Sequence, residues 1–332
     1  MSTLARSSSN REVRWRRAPP DAKLLGMKHS LTTTALFSLA LAVLTPSLAR
    51  AQQPTAERLM EDLAVLAHDS MQGRAPGTIE SEQARNFLVH SLNEMGATPT
   101  GSGYEERFST LRGSGVNVVG AIPGRDRNAP VIVVTAHYDH EGVRRDVVYN
   151  GADDNASGVV AALAIGRSLM ADPLNSTVII AFVDAEEDGM VGSGAFVQDP
   201  PVPLDRIGLN VTLDMVARTD GLLWAVGAYH TPQLRQTLEE IARDARVELR
   251  LGHDRPRAPE GADWTNSSDH APFHRAGIPF VYFGVEDHVD YHKPTDDVEH
   301  VKADEFLASV ETILSALRAL DEVVPTLPKR TP

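Results

Sequence analysis

The chain has 332 residues, 42% hydrophobic and 23% charged, with a formal net charge of −13, which places it among globular rather than disordered chains. Residues 1–51 hold eight basic and two acidic residues; the remainder carries 24 basic against 43 acidic, a net charge near −19. Such a surface repels nucleic acid and anionic membranes, and the absence of cysteine excludes disulfides, thiolate metal sites and a cysteine-linked lipid anchor.

In chain order, the first recognisable element is an export signal. Ala35 to Leu44 is a ten-residue apolar run, preceded by Lys28 and followed by Ala49-Arg50-Ala51. A basic flank, a short apolar region and a small-x-small site form the pattern of a secretory signal. The run is well short of the roughly 20 apolar residues of a membrane span. The expectation is cleavage after Ala51 and a periplasmic or extracellular product without a stable membrane anchor. Met27 opens a more ordinary signal than Met1, so residues 1–26 read as an upstream extension. Arg16-Arg17 resembles a twin-arginine signal only weakly, because Ala18-Pro19-Pro20 follows it.

Apolar spacing then predicts a helix over Thr55–Leu66, a polar Gly-rich segment over Gln72–Thr78, and a helix from Ser81 to Met95 ending at Gly96. Strands are expected at Tyr104–Ser109, Val116–Ile122, Val131–Ala136, Thr177–Val183, Ile207–Met215, Leu222–Val226 and Ile278–Phe283. Helices are expected at Ser157–Met170, Pro232–Ala245 and Ala303–Val323. This alternation implies an α/β three-layer sandwich, with helices flanking a mixed, largely parallel sheet. One catalytic domain is read over residues 53–325, with 326–332 as a tail; nothing suggests an obligate assembly, and a monomer is expected.

The polar residues of interest stand where apolar runs end, or in long loops, and ligand sites of open α/β sheets lie beyond the carboxyl ends of strands. His137-Tyr138-Asp139 places an imidazole and a carboxylate two apart, on one face if the strand continues. Asp139 then suits the role of accepting the other imidazole N–H while the free nitrogen faces a metal; alone, the pair reads more readily as an ordinary polar strand end. Asp153-Asp154 precede a helix, where Asp is a common cap, so one of them braces the turn. Glu186-Glu187 leave a strand pointing different ways, so one can ligate a metal while the other faces bound water. Asp214 closes a strand, and His292 sits in a polar loop where a surface histidine would be unremarkable. Together, three carboxylates and two imidazoles suit Zn²⁺. Gathered without metal, Asp154, Glu186, Glu187 and Asp214 would repel one another and raise each other's pKa values. Metal removal is therefore expected to loosen the fold locally and abolish activity.

These motifs carry a resemblance. His137-x-Asp139, Asp154-Asn155-Ala156-Ser157-Gly158, Glu186-Glu187-Asp188-Gly189, Leu213-Asp214-Met215 and Tyr291-His292 resemble the secreted bacterial di-zinc aminopeptidases. These are zinc exopeptidases related to glutamate carboxypeptidase, glutaminyl cyclase and transferrin receptor-like proteins. Ser268-Asp269-His270-Ala271-Pro272-Phe273 with Gly277-Ile278-Pro279 is similar to that family's late segment, and the likeness spans about residues 55 to 320. It implies two Zn²⁺ bridged by Asp154, with His137 and Asp214 completing one site and Glu187 and His292 the other. Glu186 would be the general base, Asp139 the partner of His137, and Tyr291 a donor to the oxyanion. The implied activity is hydrolysis of peptide substrates at their N-termini, water attacking between the metals as Glu186 takes its proton.

Four rivals stand beside it: a glutaminyl cyclase-like acyltransferase on the same scaffold, a relative that has lost catalysis, a dipeptidase or carboxypeptidase, and a two-metal phosphoesterase, for which the chain offers no phosphate-cradling Gly-rich loop with a lysine. The intact ligand set speaks against the first two. A carboxypeptidase would need an arginine fork for the substrate carboxylate, for which Arg218, Arg255 and Arg257 are the candidates. The acidic balance favours recognition of a free amine.

Overall fold

The computed structural model describes residues 53–111, 113–256 and 262–328; the expected signal segment, Arg257 and the last four residues lie outside this range. Eleven strands lie within it: β1 (Thr98–Pro99), β2 (Glu105–Thr110), β3 (Gly113–Ile122), β4 (Val131–His137), β5 (Gly142–Arg144), β6 (Val147–Tyr149), β7 (Val178–Val183), β8 (Ile207–Leu213), β9 (Leu222–Val226), β10 (Glu248–Leu251) and β11 (Phe280–Gly284). The α-helices are α1 (Ala56–Leu66), α2 (Ile79–Met95), α3 (Gly158–Ala171), α4 (Val191–Gln198), α5 (Arg235–Asp244), α6 (His270–Arg275) and α7 (Ala303–Val323).

Nine of the strands form one mixed sheet in the order β1-β3-β7-β4-β8-β11-β9-β10, with β2 on β3, and β5 pairs with β6 in a separate hairpin. The central strands β7, β4, β8 and β11 run parallel; antiparallel pairs flank them on both sides. Every residue of β4 and β7 is buried, as expected of strands covered on both faces, which read as unbroken apolar runs instead of alternating ones. One layer of the core gathers residues of α1, α2, α3, α5 and α7 around the sheet. The other is smaller and packs Phe196 of α4 and Phe273 of α6 against Val119, Val133 and Ile179. At the far end of the described chain, Leu327 is buried in the larger core. None of the helices among the described residues is long and apolar enough to cross a membrane.

Two devices aim the ends of the central strands. Inside the sheet, Thr135 and Thr212 share a hydrogen bond of 2.7 Å, and Asn210 donates to the Val133 carbonyl at 3.2 Å and to Thr135 at 3.1 Å. These bonds lock β4 and β8 in register two and four residues before His137 and Asp214. At the strand ends, Ala185 (φ +58°) and Met215 (φ +57°) adopt the left-handed region, uncommon for a residue with a Cβ, and so turn the chain sharply beside Glu186 and Asp214.

Candidate metal centre and active site

The turn Ala152–Ser157 before α3 is held by side chains of its own motif. Asn155 donates from Nδ2 to the Leu213 carbonyl (2.9 Å) and accepts at Oδ1 from the amides of Gly158 (2.9 Å) and Met215 (3.1 Å). Ser157 donates to the Asp153 carbonyl (2.7 Å) and accepts from Val216 N–H (3.0 Å). A Cβ on Gly158 would come within 2.3 Å of the Leu213 carbonyl, so only glycine lets α3 start this close to the end of β8. Asp153 faces away from the cavity, accepting the amides of Ala217 (2.8 Å) and Arg218 (3.3 Å). Asp296, fully buried, in turn accepts the amides of Asp153 and Asp154, both at 3.0 Å. Asp154 alone of the pair points into the site.

A cavity of about 280 Å³ is lined by His137, Asp154, Glu186, Glu187, Asp214, Tyr291 and His292, with Met215, Asp263, Trp264, Ser267, Tyr282, Val285 and Asp287 forming the rest of its wall. His137 Nε2 lies 3.3 Å from Asp214 Oδ1 and 3.4 Å from Asp154 Oδ1. On the other side of Asp154, His292 Nε2 is 3.0 Å from its Oδ2 and 3.6 Å from Glu187 Oε2. Two ligands of one zinc ion, each about 2.0–2.1 Å from the metal, stand roughly 3.3 Å apart in tetrahedral geometry. The donor spacing fits, and Asp154 presents one oxygen to each group. His137, Asp154 and Asp214 form one set of donors within reach of a single ion; His140, Asp154 and Glu187 form a second, and Glu141, Glu187 and His292 a third.

Asp139 sits beneath the cavity and not at its wall, and its carboxylate does a different job from the one expected. The nearest acceptor to His137 Nδ1 is the backbone carbonyl of Asp139 at 3.1 Å; the carboxylate is 3.8 Å away. Its two oxygens accept the amides of Glu186 (3.1 Å) and Glu187 (3.3 Å) instead. The imidazole is thus oriented by main chain, and the carboxylate holds the loop that carries the two glutamates. Tyr291 stacks on the His292 ring, centroids 3.9 Å apart.

The electrostatics follow from burial among like charges. Burial raises the Glu186 pKa well above the usual carboxylate range; His137 opposes this, and Asp269, Asp214 and Asp139 reinforce it. Burial alone would lower that of His137, but Asp214 and Asp154 outweigh it and hold the imidazole well above its ordinary value. Burial would likewise raise Asp154, yet its bonds to His137 and His292 hold it well below the carboxylate range. The His292 pKa is pushed up to about 9, chiefly by its bond to Asp154.

Three groups escaped the reading of the sequence. His140 is fully buried, with Nδ1 2.7 Å from Glu187 Oε1. Its signal was present, one residue past His137-x-Asp139, but a third imidazole had no assigned place. Asp269 is fully buried with its pKa raised to about 6, first by desolvation; it lies in the quoted late segment and had no role. Arg74 had no signal at all in the sequence. Conversely, Arg218 is committed elsewhere, 2.8 Å from Asp290 and 3.0 Å from His288. It does not line the cavity, and neither does the exposed Arg255.

Comparison with known proteins places this geometry in a context. The solved structure of BSAP, a zinc aminopeptidase from Bacillus subtilis, superposes with a TM-score of 0.60 over 79% of this chain and 94% of that one, at 17% identity. Glutaminyl cyclase from Bacteroides thetaiotaomicron gives a TM-score of 0.63 over 80% of this chain and 98% of its own, at 20% identity. At such identity the likeness is one of fold. In sequence, the chain is 29% identical over 212 residues to aminopeptidase YwaD of Bacillus subtilis (strain 168), a stretch covering 60% of this chain and 44% of that protein. The chain spans about half the length of the curated relatives it matches. Residues 117–317, which contain every predicted ligand and the Glu186-Glu187 pair, match the profile of peptidase family M28; the chain belongs to that family.

Proposed function

We propose that the protein is an exported di-zinc aminopeptidase that removes N-terminal residues from peptides, in which residues 53–325 form the catalytic domain. The observation that carries this reading is the convergence of His137, Asp154, Glu187, Asp214 and His292, from five separate segments, on one cavity around the two oxygens of Asp154. His137, Asp154 and Asp214 would hold one ion, and Asp154, Glu187 and His292 the other. Bound there, the pair supplies a water of lowered pKa and a Lewis acid for the scissile carbonyl.

The remaining chemistry belongs to the chain. Glu186 lines the cavity without being needed as a ligand, and its raised pKa suits a base that must take a proton and keep it until the leaving amine departs. Asp139 fixes the Glu186 amide and so the direction of that carboxylate. Tyr291, stacked on His292 at the cavity wall, would donate to the oxyanion that develops on the scissile carbonyl.

A free α-amine is recognised by negative charge, a C-terminal carboxylate by a guanidinium fork. Among the described residues the wall contributes Asp263 and Asp287 beyond the ligands, and neither lysine nor arginine. That wall selects amine over carboxylate. Leucine and lysine p-nitroanilides should therefore be hydrolysed and N-acetylated dipeptides left intact; the reverse preference would make the enzyme a carboxypeptidase. A peptide with N-terminal glutamine that is cyclised by protein holding one zinc would instead mark a glutaminyl cyclase. Replacement Glu186→Gln should lower kcat by about 10²- to 10⁴-fold, the usual range for a general base, with both zinc ions still bound. Near-normal turnover in that variant would remove Glu186 from the mechanism.

A further inference from the structure

The Gly-rich segment Gln72–Thr78 plays no part in the reading of function, lies some 40 residues before the M28-matching region, and touches no wall of the cavity. It nevertheless buries a charge. Arg74 is completely inaccessible, and its hydrogen bonds all end on main-chain carbonyls. Nε donates to Tyr138 at 2.7 Å, Nη1 to Leu66 at 2.7 Å and to Asn150 at 2.6 Å, and Nη2 to Gly151 at 3.1 Å. Both Gly73 (φ +65°) and Arg74 (φ +54°) adopt the left-handed region to put the side chain there. A Cβ on Gly73 would come within 2.2 Å of the Tyr149 carbonyl and 2.7 Å of the Gly142 nitrogen.

Burying a guanidinium is costly and is tolerated only where its donors are satisfied and opposite charge is near. Here the acceptors are peptide carbonyls, and the compensating charges are Asp139, Asp154, Asp296 and Glu187, which offset the lowering by burial and leave its pKa at about 10, charged at neutral pH. Three of the four carbonyls, all but that of Leu66, have a common feature. Tyr138 lies between His137 and Asp139, and Asn150-Gly151 lead directly into Asp153-Asp154. Among them the rigid five-donor fork of one arginine spans both segments that carry the shared ligand and the first imidazole.

We infer that Arg74 is a positioning residue of the metal centre, a clamp tying the His137–Glu141 segment to the Gly151–Asp154 turn and so fixing His137 relative to Asp154. The inference rests on the di-zinc reading above. Arg74 acts only through main chain, so its effect falls on metal binding and not on the substrate wall of Met215, Trp264, Tyr282 and Val285.

The test compares wild-type protein with Arg74→Lys and Gly73→Ala. Zinc affinity is measured by competition with a chromophoric chelator, kcat and KM on leucine p-nitroanilide, and stability of the metal-free protein in urea. An ammonium cannot reach four carbonyls, and the added methyl, 2.2 Å from the Tyr149 carbonyl, displaces the segment that carries Arg74 while keeping the guanidinium. Both variants should bind zinc about 10- to 100-fold more weakly, the range found for groups that orient metal ligands. Their kcat should be low at limiting zinc and restored by excess zinc, with KM unchanged. Folded variants with wild-type zinc affinity would overturn the inference, as would a loss of urea stability with zinc affinity unmoved. Failure of both variants to fold in saturating zinc would make Arg74 a general core residue and overturn it equally. Wild-type protein that binds no zinc would instead sink the di-zinc reading itself.

Discussion

His292 shows how one side chain links conformation, charge and metal. It adopts φ +52°, which swings its ring back over Tyr291 and toward Asp154 from a loop that is otherwise polar. Paired with Asp154, it has a pKa of about 9 in the metal-free fold, against an ordinary value of 6.5. The sign follows. A raised imidazole pKa means the ion pair contributes stability in full below pH 6.5 and loses it as pH rises through 9. A metal ion must displace that proton. Apparent zinc affinity should thus rise by about tenfold per pH unit between pH 6.5 and 9 for His292 alone, and more steeply if His137, also held protonated, gives up its proton too. Chelator competition at pH 6.5, 7.5 and 8.5 measures the slope; an affinity independent of pH would contradict the ion pair. None of this was legible in Tyr291-His292 as letters. The candidate ligands could be listed from residue type and order, with their roles implied by the family resemblance, whereas the left-handed backbone at Ala185, Met215 and His292 comes from tertiary packing. The separation of Asp139's carboxylate from His137 has the same origin: past His137 the chain leaves the strand, so the two-residue spacing no longer keeps both side chains on one face.

Among the elements, legibility followed the strength of the pattern. The buried strands β4, β7 and β8 and the long helices α2 and α7 emerge within a residue or two of their expected bounds, because unbroken apolar runs and 3.6-residue spacing are strong signals. Predicted Ser81–Met95 becomes Ile79–Met95, with Thr78 capping through its hydroxyl to Ser81 N–H and Gly96 closing in the left-handed region. Elements set by tertiary contact were missed. Helix α4 contains Gly192 and Gly194, poor helix formers, and packs tightly beside β7, where a Cβ at Gly192 would meet the Asp184 carbonyl at 2.2 Å. Strand β10 reads Glu-Leu-Arg-Leu, half exposed at the sheet edge, and α6 has only six residues. The turn into α3 was legible as a motif, but its purpose was not. Asn155, Ser157 and Gly158 together hold Asp154 against the end of β8. Gly158→Ala would force its Cβ to 2.3 Å from the Leu213 carbonyl and 2.4 Å from Asn155 Oδ1. Overpacking of this kind costs about 1–3 kcal/mol, and because the clash falls on the clip itself, urea denaturation should show that loss together with weaker zinc binding. Unchanged zinc binding in a destabilised Gly158→Ala protein would separate the clip from the metal centre.

For the whole molecule, a chain of net charge −13 has brought Asp139, Asp154, Glu186, Glu187, Asp214 and Asp269 together at the carboxyl ends of its central strands. Arg74 is the fully buried arginine nearby, and much of the remaining compensation falls to imidazoles, which must release their protons before they can bind metal. The metal-free fold is therefore held in its functional shape by ion pairs that the working state dissolves. In the proposed di-zinc state two divalent ions would replace them and bridge segments more than 150 residues apart in the chain, from His137 to His292. Each ion that binds only the folded state stabilises it by about 2.7 kcal/mol at free zinc 100-fold above its Kd, so two contribute about 5 kcal/mol, which for a domain of this size is about 10–20 °C in Tm. Removing zinc with a chelator should lower Tm by that amount, reversibly on readdition. Hydrogen exchange should show where the stability goes. Protection should be lost at residues 137–142, 151–157, 186–190 and 288–296, and retained in β4, β8 and α7, whose buried apolar residues do not depend on the ions. Uniform loss across the sheet would mean that the metal centre is integral to the core, and no change in either measurement would mean that the acidic cluster is stable without metal and that the charge argument is wrong.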